Sequence, residues 1–269
     1  MDELIDDPER EGVDVAGPRD AQSIVFLHGT AFSRAQWAPQ RDALAEEFHV
    51  VAPDLPGHGT RAGEPFHLGS AIDLLETVVR TGAGGHAVLV GLSLGGYVAT
   101  AYTGRFPDRV DGLMLVGSSA NPVESTAILT RLLSMATRVV TRSSLFERSV
   151  ERLGKRWVRN RNLRPEHEAE ILEAGLYPRQ LGMAGPNLAG YDFRADLETY
   201  SGPVMIVNGE SDRLMRKEAP AHAEAGGTDS QARVVTVDGS GHVCPLHRPS
   251  AVSDLVATFA TRIETERTL

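Results

Sequence analysis

A serine, an acid and a histidine fall in this chain where each could do chemistry. Ser93 lies in Val88-Leu89-Val90-Gly91-Leu92-Ser93-Leu94-Gly95-Gly96. A short apolar run ends in Gly-x-Ser-x-Gly and an apolar, helix-like run follows. That order suits a strand–turn–helix elbow holding a serine hydroxyl clear of the backbone. Such a turn leaves little room two residues before and after the serine, where Gly91 and Gly95 stand. The helix that begins here offers unpaired N–H groups and a positive dipole end, where a developing oxyanion is stabilised. The five residues alone are a weak pattern. Their weight depends on an acid, a base and a second oxyanion donor.

The acid is expected after the apolar run Val204–Val207, in Asn208-Gly209-Glu210-Ser211-Asp212. Glu210 lies nearer the run. Asp212 is shorter and further out, where a loop can bring it beneath an imidazole, so Asp212 is the expected acid. Turn chemistry is the plain alternative for both. The base is expected in Asp238-Gly239-Ser240-Gly241-His242, with His242 favoured. Its rival, His247, precedes Arg248-Pro249, which reads as a helix start. The second donor is expected in His28-Gly29-Thr30. Gly29 permits close backbone approach, and the N–H of Thr30 would join that of Leu94 in an oxyanion hole. His28 itself reads as structural.

These residues need elements to position them. Ser23–Leu27, His49–Ala52, Ala87–Leu92, Val110–Val116, Val204–Val207 and Arg233–Val237 read as buried strands. Helical spacing marks 36–48, 70–80 (with Ser70 as N-cap), 94–106 and 250–263. The first twenty residues are charged and Gly/Pro-punctuated, a leading hairpin strand or a loose arm. Strands alternating with helices imply an α/β fold, a doubly wound and mostly parallel sheet. Residues 119–200 contain no convincing strand and are expected to form a helical cap over the sheet's C-terminal edge, where ligands bind in such sheets. The core would then comprise 1–118 and 201–269.

Composition narrows the function classes. The chain has 269 residues, 41% of them hydrophobic and 23% charged, enough for one large soluble domain with an insertion. A net charge of -9 argues against nucleic-acid binding. The single cysteine allows no intrachain disulfide. The acidic start, Met1-Asp2-Glu3-Leu4-Ile5-Asp6-Asp7, has no apolar core of a signal peptide. A cytoplasmic location is expected.

Residues 23 to about 118 and 201 to 263 resemble the α/β-hydrolase fold family. The matching strings are His28-Gly29-Thr30, Asp54-Leu55-Pro56-Gly57-His58-Gly59, Gly91-Leu92-Ser93-Leu94-Gly95-Gly96, Gly209-Glu210-Ser211-Asp212 and Gly241-His242. The order Ser93, Asp212, His242 is the family's order of nucleophile, acid and base. The resemblance implies that Asp54 orders its loop. A serine at the elbow, where the family's dehalogenases and epoxide hydrolases carry Asp, argues against those activities. One departure is His247, where relatives often carry an acid shortly before the last helix.

The implied chemistry is acyl transfer to water with no metal or organic cofactor, on a small-molecule ester-type substrate. The same groups could hydrolyse a C–C bond of a diketone-type substrate, and a non-catalytic receptor could retain the fold. Between 138 and 164 there are nine Lys or Arg residues and two Glu residues. Phe146, Val150, Leu153 and Trp157 fall on one helical face and Arg148, Arg152, Lys155 and Arg159 on another. Two readings stand: attraction of an anionic substrate or weak contact with an anionic lipid surface, or a solvated outer face whose apolar stripe packs over the site.

Overall fold

The computed structural model describes residues 12–140, 143–226 and 232–268, so the expectations for the first eleven residues lie outside it. Seven strands form one sheet: β1 (Val13–Ala16), β2 (Ser23–Leu27), β3 (His49–Pro53), β4 (Ala87–Leu92), β5 (Val110–Val116), β6 (Val204–Gly209) and β7 (Arg233–Val237). Their order is β1-β3-β2-β4-β5-β6-β7, and only the β1–β3 pair is antiparallel. β1 is therefore a leading edge strand but not one arm of a hairpin with β2, because β3 lies between them. The central strands β2, β4 and β5 are apolar apart from Ser23 and Asp111 near their starts, as burial on both faces of a parallel sheet requires, whereas β7, expected to be buried, is exposed at Arg233, Val234 and Thr236 because it is an edge strand.

Twelve helices accompany the strands among the described residues. They are α1 (Ala38–Leu44), α2 (Leu68–Gly82), α3 (Leu94–Arg105), α4 (Glu124–Val140), α5 (Ser144–Arg159), α6 (Pro165–Glu173), α7 (Gln180–Met183), α8 (Gly185–Leu188), α9 (Phe193–Glu198), α10 (Arg213–Ala225), α11 (Cys244–His247) and α12 (Pro249–Thr268). Alternate strand side chains enter two cores. Val25 and Leu27 join α2, α3, α9 and α10, whereas Ile24 and Phe26 join α1 and α12. Trp37 fills the second core, its ring centroid 4.7 Å from that of Phe26.

Several sequence boundaries shift: the helix expected over 36–48 is α-helical only over Ala38–Leu44, and β6 runs on past Val207 to Gly209. α2 begins at Leu68 rather than after Ser70, because His67 already has the extended backbone of an N-cap (φ -131°, ψ 137°). α12 runs on past Ile263 to Thr268. Helices α4 to α9 all lie between β5 and β6. Arg41 of α1 grips Glu170 of α6 with two hydrogen bonds, at 2.7 and 2.9 Å, joining this helical segment to the sheet's outer layer.

The parallel registers align the strand ends that matter. Leu27 stands beside Gly91, Leu92 beside Val116, Val116 beside Val207, and Gly209 beside Val237. The loops carrying Thr30, Ser93, Asp212 and His242 therefore leave one edge of the sheet.

Candidate active site

The turn after β4 is strained where the sequence demands it. Ser93 has φ +49° and ψ -110°, one of two non-glycine residues with positive φ among those described. The turn is held by the Ser93 N–H donating to the Val116 carbonyl at 2.8 Å. A Cβ on Gly91 would sit 2.4 Å from the Gly95 carbonyl carbon, and one on Gly95 would sit 2.2 Å from the Leu27 carbonyl oxygen. Both positions exclude any side chain. Leu94 opens α3, so its N–H lies outside the intrahelical ladder.

The acid and base loops are stitched together before they reach the serine. A Cβ on Gly209 would meet the Gly241 carbonyl oxygen at 2.2 Å, so the loops touch backbone to backbone. The Ser211 N–H and hydroxyl both donate to the Ser240 carbonyl, at 3.0 and 2.9 Å. At the end of this seam His242 Nδ1 lies 2.6 Å from Asp212 Oδ2. Asp212 is the residue before α10, yet its carboxylate caps no helix N–H and is left for the imidazole. Its side chain is 10% exposed while that of His242 is 42% exposed, so the pair is buried at the acid and open at the ring.

Glu210 does different work: its carboxylate accepts the Gly239 N–H at 2.8 Å and braces the histidine loop. His247 is also placed elsewhere. Its Nδ1 lies 2.9 Å from the Val243 carbonyl and its ring meets Trp157 edge-on at 5.2 Å.

Gly117, unremarked in the sequence, seats the imidazole. It has φ +58°, and a Cβ there would lie 3.1 Å from His242 Nδ1. Because Gly117 directly follows Val116, whose carbonyl holds the Ser93 N–H, the ring stands over the strand end next to the serine. The only sequence signal was a glycine at a strand end.

The turn after β2 is built by buried side chains. Gln36, a second residue missed in the sequence, accepts the Gly29 N–H at 3.0 Å and fixes the backbone leading into Thr30. Thr30 is partly exposed and is followed by Ala31 at φ +74°. His28 Nε2 accepts the Leu55 N–H at 2.9 Å and its Nδ1 lies 3.0 Å from the Gly29 carbonyl, which ties β2 to β3. Asp54, fully buried, accepts N–H groups of Arg34 and Thr60 at 2.9 and 2.8 Å and pairs with the Arg34 guanidinium. It orders this loop, as the resemblance implied.

Two histidines here make stability depend on pH. Burial pushes His28 down to about 4, and burial and His28 together push His58 down to about 3. In the unfolded chain both titrate near about 6.5. Above that pH both states are neutral and the contribution is complete. As pH falls from about 6.5 to about 4 the unfolded chain takes up protons that the native state refuses, so stability falls. The Tm is expected to decline across this window and to decline less steeply in His58→Gln. An equal slope in that variant would contradict the assignment.

An apolar cavity of about 230 Å³ adjoins the site, lined by Ala31 and Phe32 beyond Thr30, Val243 beyond His242, and Val150, Gly154 and Trp157 of α5. The apolar face expected on α5 is thus divided. Val150 and Trp157 turn inward, whereas Phe146 and Leu153 are 43% and 67% exposed. Arg148, Arg152 and Arg159 are exposed, as expected for the basic face, while Lys155 pairs with Glu151 at 2.7 Å.

A strained serine turn and an Asp–His pair buried at its acid, both delivered to one edge of a parallel sheet, define a class. The chain belongs to the α/β hydrolase family, whose family model matches residues 24–255. Among relatives, a pimeloyl-[acyl-carrier protein] methyl ester esterase of Yersinia enterocolitica is 29% identical over 252 residues, covering 90% of this chain and 94% of that one. A 2-(acetamidomethylene)succinate hydrolase of Mesorhizobium japonicum is 29% identical over 249 residues, covering 88% and 87%. Among solved structures, a thermophilic esterase from Thermogutta terrifontis superposes with a TM-score of 0.72 at 24% identity, covering 93% of each chain.

Proposed function

We propose that this protein is a serine hydrolase that cleaves a carboxylic ester or thioester of a small or acyl-chain molecule through an acyl-enzyme on Ser93. The observation that carries the reading is the Asp212–His242 pair, 2.6 Å apart and standing over the strand end beside Ser93. Asp212 fixes the tautomer, leaving Nε2 of His242 to take the Ser93 proton as the hydroxyl attacks the carbonyl carbon. The N–H groups of Thr30 and Leu94 receive the developing oxyanion. His242 returns the proton to the departing alcohol or thiol. It then draws one from the water that attacks the acyl carbon and passes it to the Ser93 oxygen as the acyl–oxygen bond breaks and the acid leaves. Relatives named as esterases support the ester reading. Burial pushes the Cys244 thiol up to about 12, so it is no rival nucleophile. A single buried cysteine also suits a reducing, cytoplasmic setting.

Helices α4 to α9 act in this reading as a cap, and the cavity under α5 receives the apolar part of the substrate. Each methylene buried there is worth roughly 0.8 kcal/mol, or about fourfold in kcat/KM. Gly154 lines the cavity, and a Cβ there already meets Leu176 Cδ1 at 2.7 Å. Gly154→Leu is expected to lower kcat/KM for the longest accepted acyl ester by about 50-fold, the loss of about three methylenes, while leaving the acetyl ester nearly unchanged. A uniform change across the series would contradict this placement. The same series, run with matched thioesters and a vinylogous diketone, tests the reaction class. Preferred turnover of the diketone would replace ester hydrolysis with C–C hydrolysis.

A further inference from the structure

Among the described residues, the helix before the basic one carries a long exposed apolar stripe. On α4, Ile128, Leu132, Met135 and Val139 recur at i, i+4, i+7 and i+11, one stripe along the helix. All four are 54–61% exposed. Among the described side chains of α4 only Ala127 and Ser134 are buried. The helix is held from behind by small residues. A Cβ on Gly185 would lie 1.9 Å from Ser134 Oγ, and one on Gly182 would lie 2.6 Å from the Arg138 nitrogen. Arg131 and Arg138 border the stripe on one side. α5, the next helix in the chain, also exposes an apolar residue, Leu145, with Arg148, Arg152, Arg156 and Arg159.

We propose that the outer face of α4 and α5 docks the protein on an anionic lipid surface, with the stripe of α4 among the upper acyl carbons and the arginines at the headgroups. Several observations select this occupant. The protein's net charge is -9, yet this face is cationic, so charge complementarity points to an anionic partner. α4 has 17 residues and carries arginine, too short and too charged to cross a bilayer, but suited to lie in its interface. A second copy placed on a two-fold axis would bring the same arginine-bordered stripe against itself.

The test is cosedimentation of the full-length protein with large vesicles of phosphatidylcholine alone and of phosphatidylcholine with phosphatidylglycerol (3:1). It needs no turnover, so it stands or falls separately from the proposed chemistry. The partition coefficient is expected to be at least about tenfold higher on the anionic vesicles and to fall at 0.5 M salt, where screening is about 4 Å. Leu132→Asp with Met135→Asp, at exposed positions, is expected to lower it by about tenfold or more with an unchanged Tm. Reversal of Arg148, Arg152 and Arg159 to Glu is expected to bring it down to the phosphatidylcholine value. Equal pelleting with and without anionic lipid, or aspartate variants that bind like the parent, would overturn the proposal. A dimer in light scattering that the Leu132→Asp, Met135→Asp variant abolishes would assign the stripe to a second copy instead.

Discussion

Ser93→Ala is expected to lower kcat by about 10⁴–10⁶-fold, because nucleophile, base and acid act as one unit and losing the first leaves the other two nothing to activate. The fold should survive. The Ser93 N–H and carbonyl, which hold the turn and start α3, are backbone groups that alanine keeps. KM for an acyl ester should move little, since the cavity under α5 does not use the hydroxyl. Steady-state hydrolysis of a nitrophenyl acyl ester with a parallel Tm measurement checks both parts. A variant that folds and retains activity within tenfold of the parent would remove Ser93 from the chemistry.

Asp212→Asn should lower kcat by about 10⁴-fold with KM nearly unchanged. Asparagine fills the same volume, but it can offer its NH₂ to His242 Nδ1 and so stabilise the wrong tautomer, with the proton on Nε2 and no base facing the serine. The 2.6 Å contact from a carboxylate 10% exposed makes this dependence steep, because little water is at hand to substitute for the lost acceptor. Glu210→Gln is the matched control. Its amide oxygen can still accept the Gly239 N–H, so activity within about threefold of the parent is expected. Reversed effects at the two positions would move the acid to Glu210.

Much of this arrangement is legible in the residues because parallel sheets leave local signatures. The limits of β2, β5 and β7 follow from runs cut off by His28, Gly117 and Asp238 and that of β4 from Ser93, and the loops after β2, β4 and β7 carry Thr30, Ser93 and His242. The elbow glycines are equally legible, since each faces a backbone atom at a distance that no Cβ tolerates. What the sequence hides is set by partners distant along the chain. Gln36 acts through Gly29, Gly117 through His242, and Glu210 through Gly239. None has a local pattern that distinguishes it from a solvated polar residue or an ordinary turn glycine. The division of the α5 face is hidden for the same reason. Helical spacing groups Phe146 and Leu153 with Val150 and Trp157, but which of them turns inward depends on where Phe32 and Leu181 lie.

The central claim is that Ser93 is a nucleophile activated by His242 and Asp212. A fluorophosphonate probe reads that property directly, since it phosphonylates an activated serine and spares ordinary hydroxyls. Intact-mass analysis of the treated protein should show one adduct, peptide mapping should place it on Ser93, and Ser93→Ala and His242→Ala should each remain unmodified. An unlabelled parent protein, or an adduct on another residue that persists in Ser93→Ala, would contradict the account.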